Sequence, residues 1–509
     1  MKFESSPRDV RPLFVCLSLV FAVLTALAIL LSVVPITQAQ TANCPKIDSL
    51  QVPGAEKQEE FCLDDLTTEG LVDGVTTDRQ DWDNGALALH ALGTVNPRAE
   101  EPIPGIQING CFPDDSDTNT NIAGGCEHDS QFVIRLPNEW NGKLLMTGPS
   151  GNREQYANDF IFSDYFLARD YAYAMTDKGN TGNRFYEDGE RPGDAVAEWH
   201  ERVEQITRAT KPVVKQRYGK APKKTYITGI SNGGYLTRYA LENTPQLYDG
   251  GVDWEGTLFR AEGPNLFTYL PTSLAEYPGP DECRTSAPDF DDESCDRMRR
   301  AGFQPGSEFL WEQHYNVFWD LTQRIFREEF DPLYDGVPEE EENGVPGTPL
   351  CQDETSPPPP CDADYVYEDR PQSVKDAVGR VQNTGKIGKP MITLHSTLDA
   401  LLPIDTDSNP YRQLIKDAGK GSLHRYYKIE EGNHVDRFYN NYPPEEPTEL
   451  RPILPCHRAS FEALEKWVEK DRKPPKSKMV ANPGGPDVIN NCDVGKGARY
   501  NGLVNATGG

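Results

Sequence analysis

A serine flanked by glycines marks the point where a β-rich run gives way to a helical pattern, within residues 225–242 (TYITGISNGGYLTRYALE). The apolar residues before the serine predict a short buried strand, and the apolar spacing after it predicts a helix, so the turn between them must be very tight. Residues 229–233 (GISNG) fit the Gly-x-Ser-x-Gly nucleophile elbow. In this turn a strained backbone exposes the serine hydroxyl. The motif therefore predicts an α/β sheet with Ser231 at the carboxyl end of a central strand.

Strands alternate with helical patterns on both sides of this motif. Short β-rich runs occur at 131–137, 143–148, 170–177, 224–229, 389–396 and 423–434, and helical patterns fill 194–219 and 460–470. Such alternation predicts a mostly parallel sheet that is covered by helices on both faces. The fold class expected is therefore α/β, of the α/β-hydrolase type.

Composition divides the chain into six segments. The predicted segments are a leader (1–39), an irregular N-terminal extension (40–130), a first core part (131–263), an insertion (264–385), a second core part (386–472) and a C-terminal tail (473–509). Proline, aspartate and glutamate accumulate in the insertion around one helical stretch at 312–330. This composition is typical of a segment added over the sheet rather than of the sheet itself.

The first 39 residues have the layout of a secretory signal. Lys2, Arg8 and Arg11 precede an uncharged apolar run over 13–34, and a small-residue site at 37–39 follows it. This order predicts cleavage after Ala39. The apolar run also reaches the roughly 20 residues that span a bilayer, so an uncleaved anchor is the alternative. In both cases the rest of the chain is expected to be secreted or periplasmic.

Ten of the eleven cysteines lie outside the apolar run, an even number that favours disulfides in an exported protein. No CxxC pair occurs in the sequence, which argues against a zinc ribbon. The pairs nearest in sequence predict local bridges: Cys111 with Cys126, Cys283 with Cys295, and Cys351 with Cys361.

The formal charge of −29 argues against nucleic acid and anionic membrane surfaces as partners, since both would repel the chain. The expected partner is a small-molecule or oligomeric substrate, with no membrane contact beyond the leader.

A serine hydroxyl needs a base and a third group that orients the base. In α/β-hydrolases the order along the chain is serine, acid, histidine, each partner following a late strand. Asp399 follows the strand at 389–396 and His434 follows the strand at 423–434. We assign Ser231 as nucleophile, His434 as general base and then acid, and Asp399 as the orienting carboxylate. Asp405 and Asp407 are the alternatives for the acid.

The oxyanion of an acyl-transfer intermediate needs two N–H donors. The backbone N–H of Asn232 is expected to supply one. The loop after the strand at 143–148 is expected to supply the other, and because Pro149 has no N–H, the candidates are Ser150 and Gly151. Among the other histidines, His395, His424 and His457 are predicted to be structural.

Four stretches carry a family resemblance in the family's order: LPNEWNGKLLMTG, RDYAYAMTDKGNTG, ITGISNGGY and FEALEKWVEK. From Phe132 to Lys470 the chain resembles the tannase and feruloyl esterase family, secreted α/β-hydrolases with a lid between the nucleophile and the acid. The resemblance implies ester hydrolysis through an acyl-enzyme, often of aromatic acyl esters. It also implies that residues 264–385 are the lid and form much of the substrate pocket.

Two departures accompany this resemblance. The family carries cysteines beside the catalytic serine and histidine, where this chain has Ile230 and Val435. The family lid also often holds calcium, and residues 330–345 are loosely similar to that loop. Asp331 and Asp335 are weak calcium candidates, with a solvated acidic loop as the alternative. No obligatory cofactor is expected.

The leading functional prediction is a secreted serine esterase that acts on phenolic esters. SNGG with the later PQLYDGGVDWEG also resembles hydroxybutyrate-oligomer hydrolases, so aliphatic polyester fragments are the alternative substrate. A serine peptidase or amidase of the same fold and a non-catalytic binding protein are further alternatives.

Overall fold

The computed structural model describes residues 49–68, 70, 102–114, 126–279, 283, 292–334, 362–436, 450–484, 491–495 and 498–501. The strands are β1 (Lys57–Leu63), β2 (Gly105–Cys111), β3 (Gln131–Pro137), β4 (Lys143–Thr147), β5 (Ala172–Thr176), β6 (Lys224–Ile230), β7 (Gly250–Trp254), β8 (Met391–Ser396), β9 (His424–Ile429), β10 (Lys478–Val480), β11 (Asn491–Gly495) and β12 (Ala498–Asn501).

Ten of these strands form one sheet in the order β1-β2-β3-β5-β4-β6-β7-β8-β9-β10. Every neighbouring pair from β5 to β10 is parallel, whereas β1, β2 and β3 pair antiparallel with their neighbours. β11 and β12 form a separate antiparallel pair. The predicted α/β fold with a mostly parallel sheet is confirmed.

The α-helices of the described residues are α1 (Asp164–Leu167), α2 (Asp194–Tyr218), α3 (Asn232–Asn243), α4 (Leu270–Glu276), α5 (Asp292–Arg300), α6 (Trp311–Val317), α7 (Trp319–Phe330), α8 (Gln372–Val381), α9 (Ser408–Asp417) and α10 (Leu454–Lys470). A π-helical turn at Asp159–Ser163 runs into α1. The helix predicted at 312–330 is two helices, α6 and α7, with a break at Phe318.

Helices cover both faces of the sheet, and the core is divided accordingly. Side chains of a strand alternate between the two faces. In β4, Leu144 and Met146 pack into one apolar cluster with Trp199 of α2, whereas Leu145 packs into a second cluster with Phe461 of α10. Strands that are buried on both faces show continuous apolar runs, which is why the sequence identifies them so readily.

The N-terminal extension contains regular structure that the sequence analysis does not predict. β1 and β2 continue the sheet beyond β3, and all seven residues of β2 are buried. Polar side chains inside β2 mask its pattern: Gln107 is buried because it accepts a hydrogen bond from Arg135 Nε at 2.8 Å.

Three disulfides lie among the described residues. Cys111–Cys126 and Cys283–Cys295 confirm two predicted bridges. A third, Cys456–Cys492, joins the start of α10 to β11 in the C-terminal tail. Cys351 and Cys361 lie outside the described residues.

The structure describes no helix that is both long enough and apolar enough to span a bilayer. The leader, residues 1–39, lies outside the described residues.

Helices α4 to α8 lie between β7 and β8, the interval that holds the proposed insertion at 264–385. β7 and β8 are nevertheless neighbours in the sheet, and Gly251 is aligned with Met391. The C-terminal ends of β7 and β8, which are far apart in sequence, therefore lie side by side.

A buried charge network ties α3 to this edge of the sheet. Arg238 of α3 donates to Asp253 at 2.7 Å and to Asp407 at 2.9 Å, and all three side chains are almost completely buried. The Arg238 guanidinium also lies 4.4 Å from the ring centre of Tyr411. Because each buried carboxylate depends on this one cation, the network fixes α3 against β7 and the start of α9.

We expect Arg238→Met to lower the free energy of unfolding by about 3–5 kcal/mol, because two buried carboxylates lose their counter-ion. Methionine keeps the helix propensity and approximate length of arginine. Arg208→Met is the matched control: Arg208 pairs with Glu204 at the surface of α2, and such pairs contribute about 1 kcal/mol or less. Denaturant unfolding of both variants measures the difference, and equal losses would contradict the assigned role.

Candidate active site

The turn between β6 and α3 places Ser231 in a strained backbone conformation. Ser231 has φ +57° and ψ −121°, which a non-glycine residue adopts only where its surroundings enforce it. A Cβ atom at Gly229 would lie 2.3 Å from the backbone of Gly233, and one at Gly233 would lie 2.3 Å from the carbonyl oxygen of Gly148. Neither Gly229 nor Gly233 can therefore be replaced by a residue with a side chain unless the backbone moves.

The turn after β7 supports the elbow. The N–H of Ser231 donates to the carbonyl of Trp254 at 3.0 Å, and the N–H of Thr257 donates back to the carbonyl of Ser231 at 3.3 Å. The Thr257 hydroxyl also donates to the side-chain oxygen of Asn232 at 3.0 Å. These bonds hold the first residues of α3 in place.

His434 and Asp399 are brought together as the sequence predicts. His434 Nδ1 lies 2.8 Å from Asp399 Oδ2, and both side chains are buried. The other carboxylate oxygen of Asp399 accepts from the N–H groups of Leu401 and Leu402, each at 2.8 Å. With Nδ1 donating to Asp399, Nε2 of His434 is the nitrogen left to act as a base.

Burial and charge oppose each other in this pair. Burial alone would raise the pKa of Asp399, but the charge and hydrogen bond of His434 outweigh it, and the pKa lies well below its usual range. Burial alone would lower the pKa of His434, but Asp399 raises it to about 10, with a smaller contribution from Glu255. The site thus stabilises the imidazolium that forms when the base accepts a proton.

Glu255, which the sequence analysis does not single out, lies at the same imidazole. Its Oε2 is 3.3 Å from His434 Nδ1. Ligand-type atoms of Glu255, Asp399 and His434 lie within 4.8 Å of one another. A sequence signal for this residue exists: Glu255 directly follows β7, the buried strand that comes after β6 and Ser231 in the chain.

A cavity of about 290 Å³ opens at Ser231 and His434. The three residues assigned to the oxyanion site, Ser150, Gly151 and Asn232, line it as well. Its apolar wall is formed by Leu266, Phe318, Leu321, Ile325, Phe326, Leu401, Leu402 and Val435. His314 of α6 also lines the cavity, and burial lowers its pKa to about 3, so it is neutral at physiological pH.

The loop that carries Ser150 and Gly151 is held by two donors. The carbonyl of Gly151 accepts from the Lys178 ammonium and, at 3.2 Å, from the side-chain amide of Asn232. Burial lowers the pKa of Lys178 to about 7, and its Nζ lies 4.6 Å from the ring centre of Trp199. The loop proposed to supply the second oxyanion donor is therefore hydrogen-bonded to Asn232, the residue proposed to supply the first.

The alternative acids are occupied elsewhere. Asp407 pairs with Arg238, and Asp405 accepts from Gln304 and Asn409 at the surface. His395 donates through Nε2 to the carbonyl of Leu402 at 2.9 Å, a structural role in accordance with its position in β8.

The described part of the chain does not bring Asp331 together with other acidic groups as a calcium site. Asp331, at the end of α7, accepts from Arg370 Nε at 2.6 Å and from the Tyr365 hydroxyl at 3.1 Å. Its carboxylate is therefore already neutralised by a guanidinium. Asp335 lies outside the described residues.

Comparisons with known proteins match parts of the chain. Residues 118–253 match the family model for tannase and feruloyl esterase, so the resemblance stated from the sequence is confirmed over that stretch. The chain is 30% identical over 142 residues to mono(2-hydroxyethyl) terephthalate hydrolase of Piscinibacter sakaiensis. That alignment covers 25% of this chain and 23% of the relative, so the match spans under a quarter of the relative's length.

One solved structure shows the same fold, and a second is similar over much of the chain. An esterase from Aspergillus oryzae is similar with a TM-score of 0.50 at 13% identity, covering 83% of this chain and 88% of that chain. Feruloyl esterase B from the same organism is similar with a TM-score of 0.49 at 13% identity, covering 78% and 84% respectively.

The raised pKa of His434 sets a pH dependence for any reaction in which it is the base. The base must be neutral in the free protein, so kcat/KM is expected to rise with pH along a limb centred above 6.5, the ordinary value for histidine. The pH profile of kcat/KM measures this limb. His200→Gln is the control, since burial lowers the pKa of His200 to about 3, and that variant should keep the limb. A limb at or below pH 6.5 would contradict the assignment.

Proposed function

We propose that this chain, whose residues 118–253 carry the tannase and feruloyl esterase pattern, is an exported serine carboxylic-ester hydrolase. The observation that carries the proposal is the placement of the strained Ser231 and the Asp399-bound His434 on one cavity. Export is supported by the disulfides of the described residues.

The proposed reaction follows from the positions of these groups. Ser231 Oγ attacks the ester carbonyl while His434 Nε2 takes its proton, and Asp399 stabilises the resulting imidazolium. The negative oxygen of the tetrahedral intermediate accepts from the N–H of Asn232 and from the N–H of Ser150 or Gly151. The intermediate then expels the alcohol, which receives the proton from His434, and water releases the acid from the acyl-enzyme by the same steps.

Phenolic esters are the proposed substrates. The cavity wall is apolar and includes two phenylalanine rings, Phe318 and Phe326, which suit a planar aromatic acyl group. The partial match to a hydrolase named for a terephthalate ester supports the same class, since terephthalate is an aromatic acid. Hydroxyalkanoate oligomers are the alternative, favoured by the SNGG and PQLYDGGVDWEG stretches.

We expect Ser231→Ala to lower kcat for an aromatic ester by about 10⁶-fold, because the nucleophile is removed while the fold is kept. The assay measures hydrolysis by the protein without its leader of five compounds: methyl ferulate, methyl gallate, p-nitrophenyl butyrate, a hydroxybutyrate dimer and a peptide amide. Ser422→Ala, at an exposed serine far along the chain, is the control and should retain the activity of the wild type.

The panel also tests the substrate class. A preference for the hydroxybutyrate dimer would replace the phenolic proposal by the polyester one, and a preference for the amide would indicate a peptidase. Wild-type protein that hydrolyses none of the five, or a Ser231→Ala variant as active as wild type, would overturn the proposed function.

A further inference from the structure

Two carboxyl groups, not one, face the proposed catalytic histidine. Asp399 Oδ2 lies 2.8 Å from His434 Nδ1, and Glu255 Oε2 lies 3.3 Å from the same nitrogen. The Glu255 side chain is completely buried. Its other oxygen, Oε1, accepts from the N–H of Ser396 at 2.5 Å, so the carboxyl is anchored at the end of β8.

A single ring nitrogen cannot satisfy both carboxyl groups. Nδ1 carries one proton, which goes to the nearer acceptor, Asp399. Among the residues that the structure describes, no hydrogen-bond donor then points toward the buried Glu255 Oε2. A buried carboxylate oxygen without a donor is costly, and two carboxylates this close repel each other. A proton on Glu255 Oε2 relieves both problems, since Asp399 can accept it.

The backbone at Glu255 is also strained. Its φ is +49°, the left-handed region that a residue with a side chain rarely adopts. The N–H of Glu255 donates to the carbonyl of Leu394 at 2.9 Å. At the next position, a Cβ on Gly256 would lie 2.4 Å from the backbone of Gly234 in α3. The surroundings thus impose an unfavourable conformation that aims this carboxyl at the histidine.

We infer that Glu255 is a neutral carboxylic acid that donates a hydrogen bond to Asp399 and that ionises to take over the orientation of His434 when Asp399 carries no charge. Glu255 is accordingly a positioning residue, which acts on the reaction through Asp399 and His434. The inference rests on the proposed function, because it concerns the same serine and histidine.

The electrostatics of the pair agree with this geometry. Burial, followed by the charge of Asp399, raises the pKa of Glu255 well above its usual range, while the pKa of Asp399 is lowered. Two interacting carboxyl groups whose pKa values are driven apart carry one proton between them. The charge of Asp399 is thus part of what holds the proton on Glu255.

The other titratable groups around this pair are uncharged near neutral pH or paired elsewhere. Burial lowers the pKa of His395 on β8 to about 4 and that of His314 on α6 to about 3. Burial raises the pKa of Tyr269 and Tyr426 well above their usual range. Arg238 is paired with Asp253 and Asp407. His395 Nε2 also lies 3.5 Å from Asp399 Oδ2, but it donates to the carbonyl of Leu402 and the ring is neutral. Glu255 and His434 are therefore the groups whose protonation the inference links to the charge of Asp399.

Asp399→Asn is the informative substitution. The asparagine removes the negative charge that helps to hold the proton on Glu255, so the pKa of Glu255 falls and its proton is lost to solvent at a lower pH than in wild type. A carboxylate then remains 3.3 Å from Nδ1 of His434. We expect this variant to lose about 10²-fold in rate, whereas loss of the orienting carboxylate in a triad without a substitute costs about 10⁴-fold.

The test is a double-mutant cycle of wild type, Asp399→Asn, Glu255→Gln and the double variant. The first readout is the second-order rate at which a fluorophosphonate probe labels Ser231, which depends on His434 but on no particular ester. The second readout is kcat/KM for the best ester of the panel as a function of pH. Glu262→Gln, at an exposed glutamate seven residues along the chain, is the matched control and should label like wild type.

We expect Glu255→Gln to slow labelling by about 3- to 10-fold, since glutamine keeps an uncharged donor beside Asp399. The double variant should be slower than wild type by about 10⁴-fold, which exceeds the product of the two single losses. In Asp399→Asn the rate should rise with pH as Glu255 ionises, and the double variant should lack that limb. Thermal unfolding shows whether each variant is folded.

Two results would overturn the inference: losses that simply multiply, or a limb of Asp399→Asn that persists at the same pH in the double variant. If wild-type protein is labelled but hydrolyses no ester, the proposed substrates are wrong. The double-mutant cycle remains valid in that case, because the labelling rate still reports on Glu255. Wild-type protein that is neither labelled nor active would overturn both.

Discussion

Direct contact between backbone segments around Ser231 is the constraint on which the site depends. Gly233 in the first turn of α3 touches the carbonyl of Gly148 in the loop after β4, with no room for a side chain. Gly234 meets Gly256 in the turn after β7 with similar closeness, since a Cβ at Gly234 would lie 2.6 Å from the Cα of Gly256. The loop after β4, Ser231 and the turn that carries Glu255 are therefore all positioned by contacts with the first turn of α3.

Buried charge is the second organising interaction. Arg238 neutralises Asp253 and Asp407 behind the elbow, in surroundings where an unpaired carboxylate would be strongly destabilising. The loop after His434 is fixed in a related way. Asp436 accepts from the N–H groups of Ile453 and Leu454, where α10 begins, at 2.6 and 2.9 Å. Helix N-terminal N–H groups need such acceptors, so the start of α10 and the histidine loop stabilise each other.

Much of this could be predicted from the sequence, because the responsible patterns are local. β3, β4 and β6 are short, almost entirely buried runs rich in β-forming residues, the elbow is five consecutive residues, and the proposed acid and base each follow a recognisable strand. These features need no knowledge of what lies next to them in space. The triad assignment itself remains a proposal.

The features that the sequence analysis missed depend on neighbours distant in the chain. The sequence of β2 does not resemble a buried strand, because the polar Gln107 is buried only through its hydrogen bond from Arg135 in β3. Glu255 and Asp399 meet because β7 pairs with β8, although helices α4 to α8 separate those strands in sequence. His314 reaches the cavity through the packing of those helices. Hydrophobic periodicity carries no information on such contacts.

The two sides of the cavity come from different parts of the chain, and this division bears on how such a protein can evolve. The groups assigned to chemistry follow β4, β6, β7, β8 and β9 and are fixed by glycine contacts and buried charges that tolerate little change. Much of the apolar wall comes from α7 and the break before it, which lie between β7 and β8 in sequence: Phe318, Leu321, Ile325 and Phe326. Selection can therefore reshape what the cavity accepts by altering one contiguous stretch of the gene. The residues proposed to carry out the reaction lie outside that stretch.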